Sequence, residues 1–395
     1  MILPDAEWRH RPGLAALCRA LGANEGLARF VGGAVRDTLL GLPVADVDIA
    51  TTHAPAQVVR LLEASGVKAI PTGLAHGTIT AVTHGWPVEV TTLRHDLSTD
   101  GRHAIVAFTD NWREDAARRD FTMNALYADP VTGEIFDWFG GLDDLKAGRV
   151  RFIGDPLQRI AEDHLRILRF FRFHARFGDT IDADGLGACR ARANDLMALS
   201  RERIASEMLK LLVAKNAVAV LRLMVEQGIL LAVLPEIDAT GVERLAALTE
   251  RENATDIAPD PIRRLAALVP VASAEAVGAR LKLSNTDRKR LQSASGPLGA
   301  EGTHALGYRL GITLATDRLL LSGEDPAPLD GWIPPMLPIG GGALVERGLR
   351  KGPDVARTLQ AIETQWIAEG FPDADRVARI ADDAVAQALR ASSQS

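Results

Sequence analysis

Cysteine is scarce in this 395-residue chain: Cys18 and Cys189 are the only two, far apart and outside any CxxC pattern. A disulfide framework and a zinc site are thereby disfavoured, and the chain reads as cytoplasmic. Long apolar runs are missing as well. No stretch approaches the roughly 18 to 20 residues of a membrane-spanning helix. The opening residues, MILPDAEWRH, hold acids and no apolar core, so no secretory signal is expected there. Nor is there a basic surplus: the formal net charge is −6. Nucleic-acid partners usually go with a positive balance, because phosphate contacts supply much of the affinity. The charge is uneven, however. Between positions 149 and 176 the arginines 149, 151, 159, 166, 169, 172 and 176 outnumber the acids Asp155, Glu162 and Asp163, and local surplus governs binding more than the total does.

What remains is an ordinary globular composition, 47% hydrophobic and 24% charged. The length calls for about two to four domains. In the first part, short β-branched runs alternate with Gly/Pro turns and helical text. Residues 27–31, 44–50, 78–84 and 87–93 predict strands, and 34–40 and 55–64 predict helices. After about Gly154 the pattern is helical: 156–177, 201–212 and 217–227, a break near 256–261, an irregular Pro/Gly-rich stretch at 323–342, and a last helical region at 354–365. The fold class is α+β, a mixed-sheet head followed by an all-helical remainder. The expected boundaries are 1–150 for the head, 151–215 for a helical neck and 216–395 for a helical body and tail.

Five short patterns carry candidate chemistry. Asp46-Val47-Asp48 sets two carboxylates on one face if it lies in a strand. Such a pair repels itself unless a cation sits between, and hard oxygen ligands suit Mg²⁺. A bare DxD is also common in solvated turns. Glu89, between Val88 and Val90, is a third carboxylate opposite an apolar face; it fits the same site or a solvent-facing strand position. Gly32-Gly33-Ala34-Val35-Arg36-Asp37 is a strand-to-helix turn whose amides can approach a phosphate, with Arg36 in reach. No GxGxxG follows, so it is not a dinucleotide fingerprint. Arg118-Arg119-Asp120 offers guanidinium forks for a triphosphate, or a basic turn closed by its Asp. Finally, 162–172 is expected inside one amphipathic helix, where Asp163 and Arg166 neighbour each other. That pair can read a base edge, or form an exposed salt bridge.

Each pattern is weak alone, but their order and wording together resemble the bacterial-type (class II) tRNA nucleotidyltransferases and their poly(A) polymerase relatives, in the polymerase β superfamily. The resemblance runs from about Phe30 to Phe177, and more loosely to Ile204 through Ser200-Arg201-Glu202-Arg203-Ile204. It implies a five-stranded mixed sheet in the head and a helical neck, body and tail. It implies that Asp46, Asp48 and Glu89 hold metal and that Gly33 and Arg36 grip the triphosphate with Arg118 or Arg119. Asp163 and Arg166 would be the amino-acid template pairing with C or A, supported by Arg169 and Arg172. The implied substrates are CTP, ATP and a tRNA 3′ end, with Mg²⁺ as cofactor and no nucleic-acid template.

Within the family, the acidic balance and Pro71-Thr72-Gly73-Leu74-Ala75-His76-Gly77-Thr78 favour a tRNA-specific enzyme over a poly(A) polymerase. The long polar segment 94–115, with Asp100-Gly101-Arg102-His103, favours addition of the terminal A over stopping at CC. The only His-Asp pair, His95-Asp96, lies in the head, so no phosphohydrolase domain is expected. A silent RNA-binding protein on the same fold is the alternative from another class; three crowded carboxylates argue against it.

Overall fold

The computed structural model describes residues 1–99, 104–299 and 302–392. The chain forms two compact units, Met1–Ile237 and Asp238–Ser395. No helix among the described residues is long and apolar enough to cross a membrane.

The first unit is built on a seven-stranded mixed sheet. Its strands are β1 (Ala28–Val31), β2 (Asp48–Thr51), β3 (Lys68–Gly73), β4 (Thr78–Thr83) and β5 (Trp86–Thr92), with the two-residue β8 (Tyr127–Ala128) and β9 (Ile135–Phe136) at one edge. The order is β3-β4-β5-β2-β1-β8-β9. Only β2 and β5 run parallel; the other neighbours are antiparallel. The five strands expected from the resemblance are therefore seven, the additions being the short pair that extends the sheet beyond β1. β6 (Arg94–Thr99) and β7 (Ala104–Phe108) form a separate antiparallel hairpin. Residues 100–103, on which the argument for A addition leaned, lie outside the described residues.

Alternation decides what the sheet presents. Ile49, Val88 and Val90 are buried while Glu89 is exposed, so one face enters the core and the other is left for chemistry. Helix α1 (Gly33–Leu39) follows β1 after Gly32, whose φ of 70° is a conformation that favours glycine. Helix α2 (Pro55–Ala64) starts on a proline, buries Val58 and Leu62 completely, and packs on β3, β4 and β5. Helix α3 (Trp112–Ala117) is capped by the Asn111 side chain, which accepts from the backbone N–H groups of Arg113 and Glu114.

Two expectations fail here, each for a local reason. The strand predicted over 44–50 begins only at Asp48, because residues 41–47, with a left-handed Gly41 and then Pro43, stay irregular. Asp46 consequently precedes the strand instead of sharing its alternation. The single helix predicted over 156–177 is two helices, α4 (Pro156–Glu162) and α5 (Arg166–Phe177). At the break Asp163 is extended, with φ −149° and ψ 106°. Its Oδ1 takes the N–H of Leu165 and both carboxylate oxygens take Arg203, bonds that the helical conformation would give up. Helix α6 (Arg201–Leu212) supplies Arg203 and packs along α5.

The second unit is all helical. It includes α7 (Ala239–Ala254), α8 (Pro261–Leu268), α9 (Asn285–Ala294), α10 (Ile312–Ser322), α11 (Pro353–Ala368) and α12 (Ala374–Ser392). A charged network ties its first helices. Glu252 accepts from Arg263 and Arg264 at 2.8 Å each, and Asp317 accepts from Arg263 at 3.3 Å and from Arg290 at 2.6 Å and 3.0 Å. Both acids are essentially sealed from solvent. A separate apolar cluster around Trp366, Ile362, Ile380 and Val385 joins α11 to α12.

Candidate active site

The parallel register of β2 and β5 sets Asp48 directly beside Glu89. The pairing reaches one residue further, since the Glu89 N–H donates to the Val47 carbonyl at 3.2 Å, and Asp46 lies just outside it. Asp48 feels the other two carboxylates. Burial raises the Asp48 pKa, the charges of Glu89 and Asp46 add to the rise, and the nearby Arg119 opposes it, leaving about 6. Among the described residues no group of three or more His, Cys, Asp or Glu side chains is arranged to hold an ion by itself. That donor set, oxygen only and open toward solvent at Asp46 and Glu89, is what Mg²⁺ takes when one or two carboxylates are completed by substrate phosphates and water.

The Gly32–Gly33 turn has an arginine on each side. Arg36 is not the exposed side chain that the bare motif also allows; it is 6% exposed. Its Nε donates to Asp37 at 2.7 Å, its Nη1 to Asn124 at 2.5 Å, and its guanidinium lies 4.4 Å over the Phe177 ring. Its Nη2 is 3.7 Å from where a Cβ on Gly33 would stand. Arg119 approaches from the other side, with Nη1 3.5 Å from the equivalent point on Gly32. Burial works against the Arg119 charge, but Tyr127 and Asp115 outweigh it and the pKa is raised. Arg118 turns away. Its Nε donates to Asp115 at 2.8 Å, and its carbonyl accepts from Arg166 at 3.1 Å and from Arg159. Arg159 also donates to the Arg119 carbonyl at 2.8 Å, so both backbones tie the RRD segment to α4, and the guanidinium of Arg119 is the one beside the Gly32 turn.

Asp163 and Arg166 are not helix-surface neighbours, and no salt bridge joins them. Asp163 is held by Arg203 at 2.9 Å and 3.0 Å. Arg166 donates to Glu162 at 2.7 Å and to the Arg159 carbonyl at 2.8 Å. The Arg166 N–H still bonds the Asp163 carbonyl, so the two remain within one turn. Further along α5, Arg169 donates twice to Asp120, at 2.8 Å and 2.5 Å, and Arg172 donates to Glu207 at 2.5 Å. Both stack near Phe173, at 5.2 Å and 4.4 Å.

Sequence reasoning assigned no role to Asp115, Asn124, Tyr127, Arg203 or Glu207. Arg203 lies within the Ser200–Ile204 block, and Asp115 left a local signal, its three- and four-residue spacing to Arg118 and Arg119 at the end of a helix. The others act over separations invisible to pattern reading.

A mixed-sheet head with paired strand carboxylates beside a Gly–Gly turn, leading into helices, defines a template-independent nucleotidyltransferase. Residues 28–151 match the family described as the poly A polymerase head domain. Residues 180–240 match the probable RNA and SrmB-binding site of polymerase A. Human mitochondrial CCA tRNA nucleotidyltransferase 1 is 33% identical over 394 residues, covering 93% of this chain and 89% of the relative. The CCA-adding enzyme of Ligilactobacillus salivarius is 41% identical over 191 residues, 48% of this chain and 46% of that protein. Among solved structures, the Bacillus stearothermophilus CCA-adding enzyme in complex with CTP matches with a TM-score of 0.68 at 29% identity, covering 90% of this chain and 93% of that one. The Thermotoga maritima enzyme complexed with tRNA shares the fold, with a TM-score of 0.71 at 21% identity over 98% of this chain and 99% of that one. The chain belongs to the CCA tRNA nucleotidyltransferase family, whose polymerase β type chemistry uses a divalent metal.

Proposed function

We propose that this chain completes tRNA 3′ ends with CCA, transferring CMP and AMP from CTP and ATP and releasing pyrophosphate. The observation that carries the reading is the Asp48–Glu89 register, with Asp46 in the same field and the Arg119-flanked Gly turn alongside. Residues 1–150 act as catalytic head, 151–215 as base-reading neck and 216–395 as RNA-binding body and tail.

Asp46, Asp48 and Glu89 would hold Mg²⁺, which when bound supplies charge stabilisation at the α-phosphate and lowers the pKa of the attacking hydroxyl. The chain's own groups do the rest. The Gly33 backbone N–H, at the start of α1, donates to a phosphate oxygen, the Gly32 N–H being taken by the Leu126 carbonyl at 3.1 Å. Arg119, rather than Arg118, donates to the triphosphate, because its Nη1 lies beside the Gly32 turn. Arg36 supports the turn from its buried side, bonded to Asp37 and Asn124. Asp163 accepts from an exocyclic amine and Arg166 donates to a ring or carbonyl acceptor, with Arg169 and Arg172 lining the base-reading helix. A carboxylate and a guanidinium that are already oriented by third residues lose little freedom on meeting a base, which is what selective pairing needs. The buried, unpaired cysteines support a reducing compartment, and the cytoplasm is the proposed one.

The test is extension of tRNA transcripts ending before CCA, after C and after CC, each given CTP, ATP or both with Mg²⁺. The reading predicts two C, one A and a stop. A stop after CC, or long A ladders, would reassign the chain to a CC-adding enzyme or a poly(A) polymerase. No extension of any transcript would leave an RNA-binding protein.

A further inference from the structure

Tyr127 lies at the junction of the catalytic face and the paired arginines, yet none of the motifs assigns it a role. Its ring is fully buried on β8, edge-on to Trp112 at 5.7 Å and to Trp138 at 5.5 Å. That packing fixes where the hydroxyl must be. The Oη donates to Asp115 Oδ2 at 2.5 Å and accepts from Arg119 Nε at 3.0 Å. The same Asp115 oxygen accepts from Arg119 Nη2 at 3.3 Å. A guanidinium is planar and rigid, so fixing the directions of Nε and Nη2 fixes Nη1 as well. Nη1 has no hydrogen-bond partner among the described residues, and it is the nitrogen that points at the Gly32 turn.

We propose that Tyr127 is a positioning residue for triphosphate binding: its hydroxyl, shared between Asp115 and Arg119, aims the Arg119 Nη1 at phosphates on the Gly32–Gly33 turn. The inference rests on Arg119 being the triphosphate arginine. Asp115 does not do this alone: its Oδ1 is taken by Arg118 Nε at 2.8 Å and the Arg94 backbone N–H at 3.2 Å, and its Oδ2 reaches the Arg119 guanidinium through a single 3.3 Å bond. Without the hydroxyl, Arg119 keeps the 3.3 Å bond to Asp115 and the ring face at 5.2 Å, and the contact to the ring does not fix the direction of its N–H groups. Because phosphates are common to both substrates, the effect falls equally on CTP and ATP, unlike that of a base-reading residue.

Steady-state incorporation by the full chain separates the roles, using Tyr127→Phe, Arg119→Ala and the double variant, with thermal unfolding followed in parallel. Tyr127→Phe keeps the ring packing and removes only the hydroxyl. KM for CTP and for ATP should rise by the same factor, roughly three- to tenfold, with kcat within about twofold. Arg119→Ala should raise KM by about ten- to a hundredfold. The double variant should be no worse than Arg119→Ala alone, since the phenol acts through the guanidinium. If Arg119→Ala raises KM and Tyr127→Phe does not, or if the two effects add, the positioning role is overturned while the triphosphate reading stands. If Arg119→Ala leaves KM unchanged, the triphosphate reading itself falls. A Tyr127→Phe enzyme that only loses folded fraction, with KM unmoved, marks a hydroxyl that serves stability alone.

Discussion

The core of the helical unit and the carboxylate face of the head handle charge in opposite ways. In the helical unit, Glu252 and Asp317 are sealed from solvent and each is matched by two arginines. In the head, Asp48 is half-buried with Glu89 at its side and Asp46 close by, like charges facing like, and burial with that repulsion lifts its pKa to about 6. Folding tolerates a full set of buried charges when each is compensated, because desolvation is then offset by ion pairs and hydrogen bonds. It has no reason to gather carboxylates that only repel each other. Uncompensated charge in an otherwise well-paired protein therefore marks where something else binds.

The strongest way to break this contrast is to remove the head's excess charge. Asp48→Asn should lower incorporation by about a thousandfold or more, while tRNA affinity and the stability of the head stay at or above the parent's. Gel-based incorporation, filter binding and thermal unfolding check the three statements together; a variant that unfolds instead would make Asp48 a structural residue. The converse change in the helical unit should read as stability. Asp317→Ala leaves Arg263 and Arg290 short of an acceptor and should cost about 3 kcal/mol or more in urea unfolding, with little change in kcat for the protein that remains folded.

Acid should sharpen the distinction between paired and unpaired carboxylates within the head. Burial alone would raise Asp115 and Asp120, but Arg119 and Arg118 at the first and Arg169 at the second outweigh it, and both are held at about 2. Their folded pKa values lie below the ordinary carboxylate value near 4. Each therefore contributes stability, on the order of 2 kcal/mol, that is complete above about pH 4 and lost as the pH falls toward 2. Unfolding midpoints measured between pH 5 and pH 2 should show that loss, and Asp120→Asn should flatten part of it. The smallest effect belongs to the base reader: Asp163→Ala should reduce discrimination between CTP and ATP by about tenfold with tRNA affinity nearly unchanged. Competition between the two nucleotides at the first added position measures it, and unaltered selectivity would sink the amino-acid template.

Much of this was legible from local pattern. Helices α2 and α6 begin and end where their spacing predicts, and the alternation of Val88, Glu89 and Val90 gives the exposed face of β5. The edge pair β8 and β9 was missed because two-residue strands leave no periodic signal. Helix α12 was missed although Val377, Ile380, Ala381 and Val385 follow a helical spacing. The break at Asp163 was beyond local reading: its extended backbone answers to Arg203, 40 residues away. Arg36 likewise owes its buried position to Asn124, 88 residues on. Motif order singled out the residues proposed for the site, while the proposal of Arg119 over Arg118 rests on which guanidinium lies beside the Gly32 turn.

The most direct test of the central claim is to count bound Mn²⁺, standing in for Mg²⁺, by electron paramagnetic resonance with a non-hydrolysable CTP analogue present. The parent chain should bind the ion, Asp48→Asn should lose it, and Asp317→Asn should keep it as long as the protein stays folded. Full Mn²⁺ binding by Asp48→Asn would contradict the account, because the uncompensated carboxylates of the head would then not be the metal site.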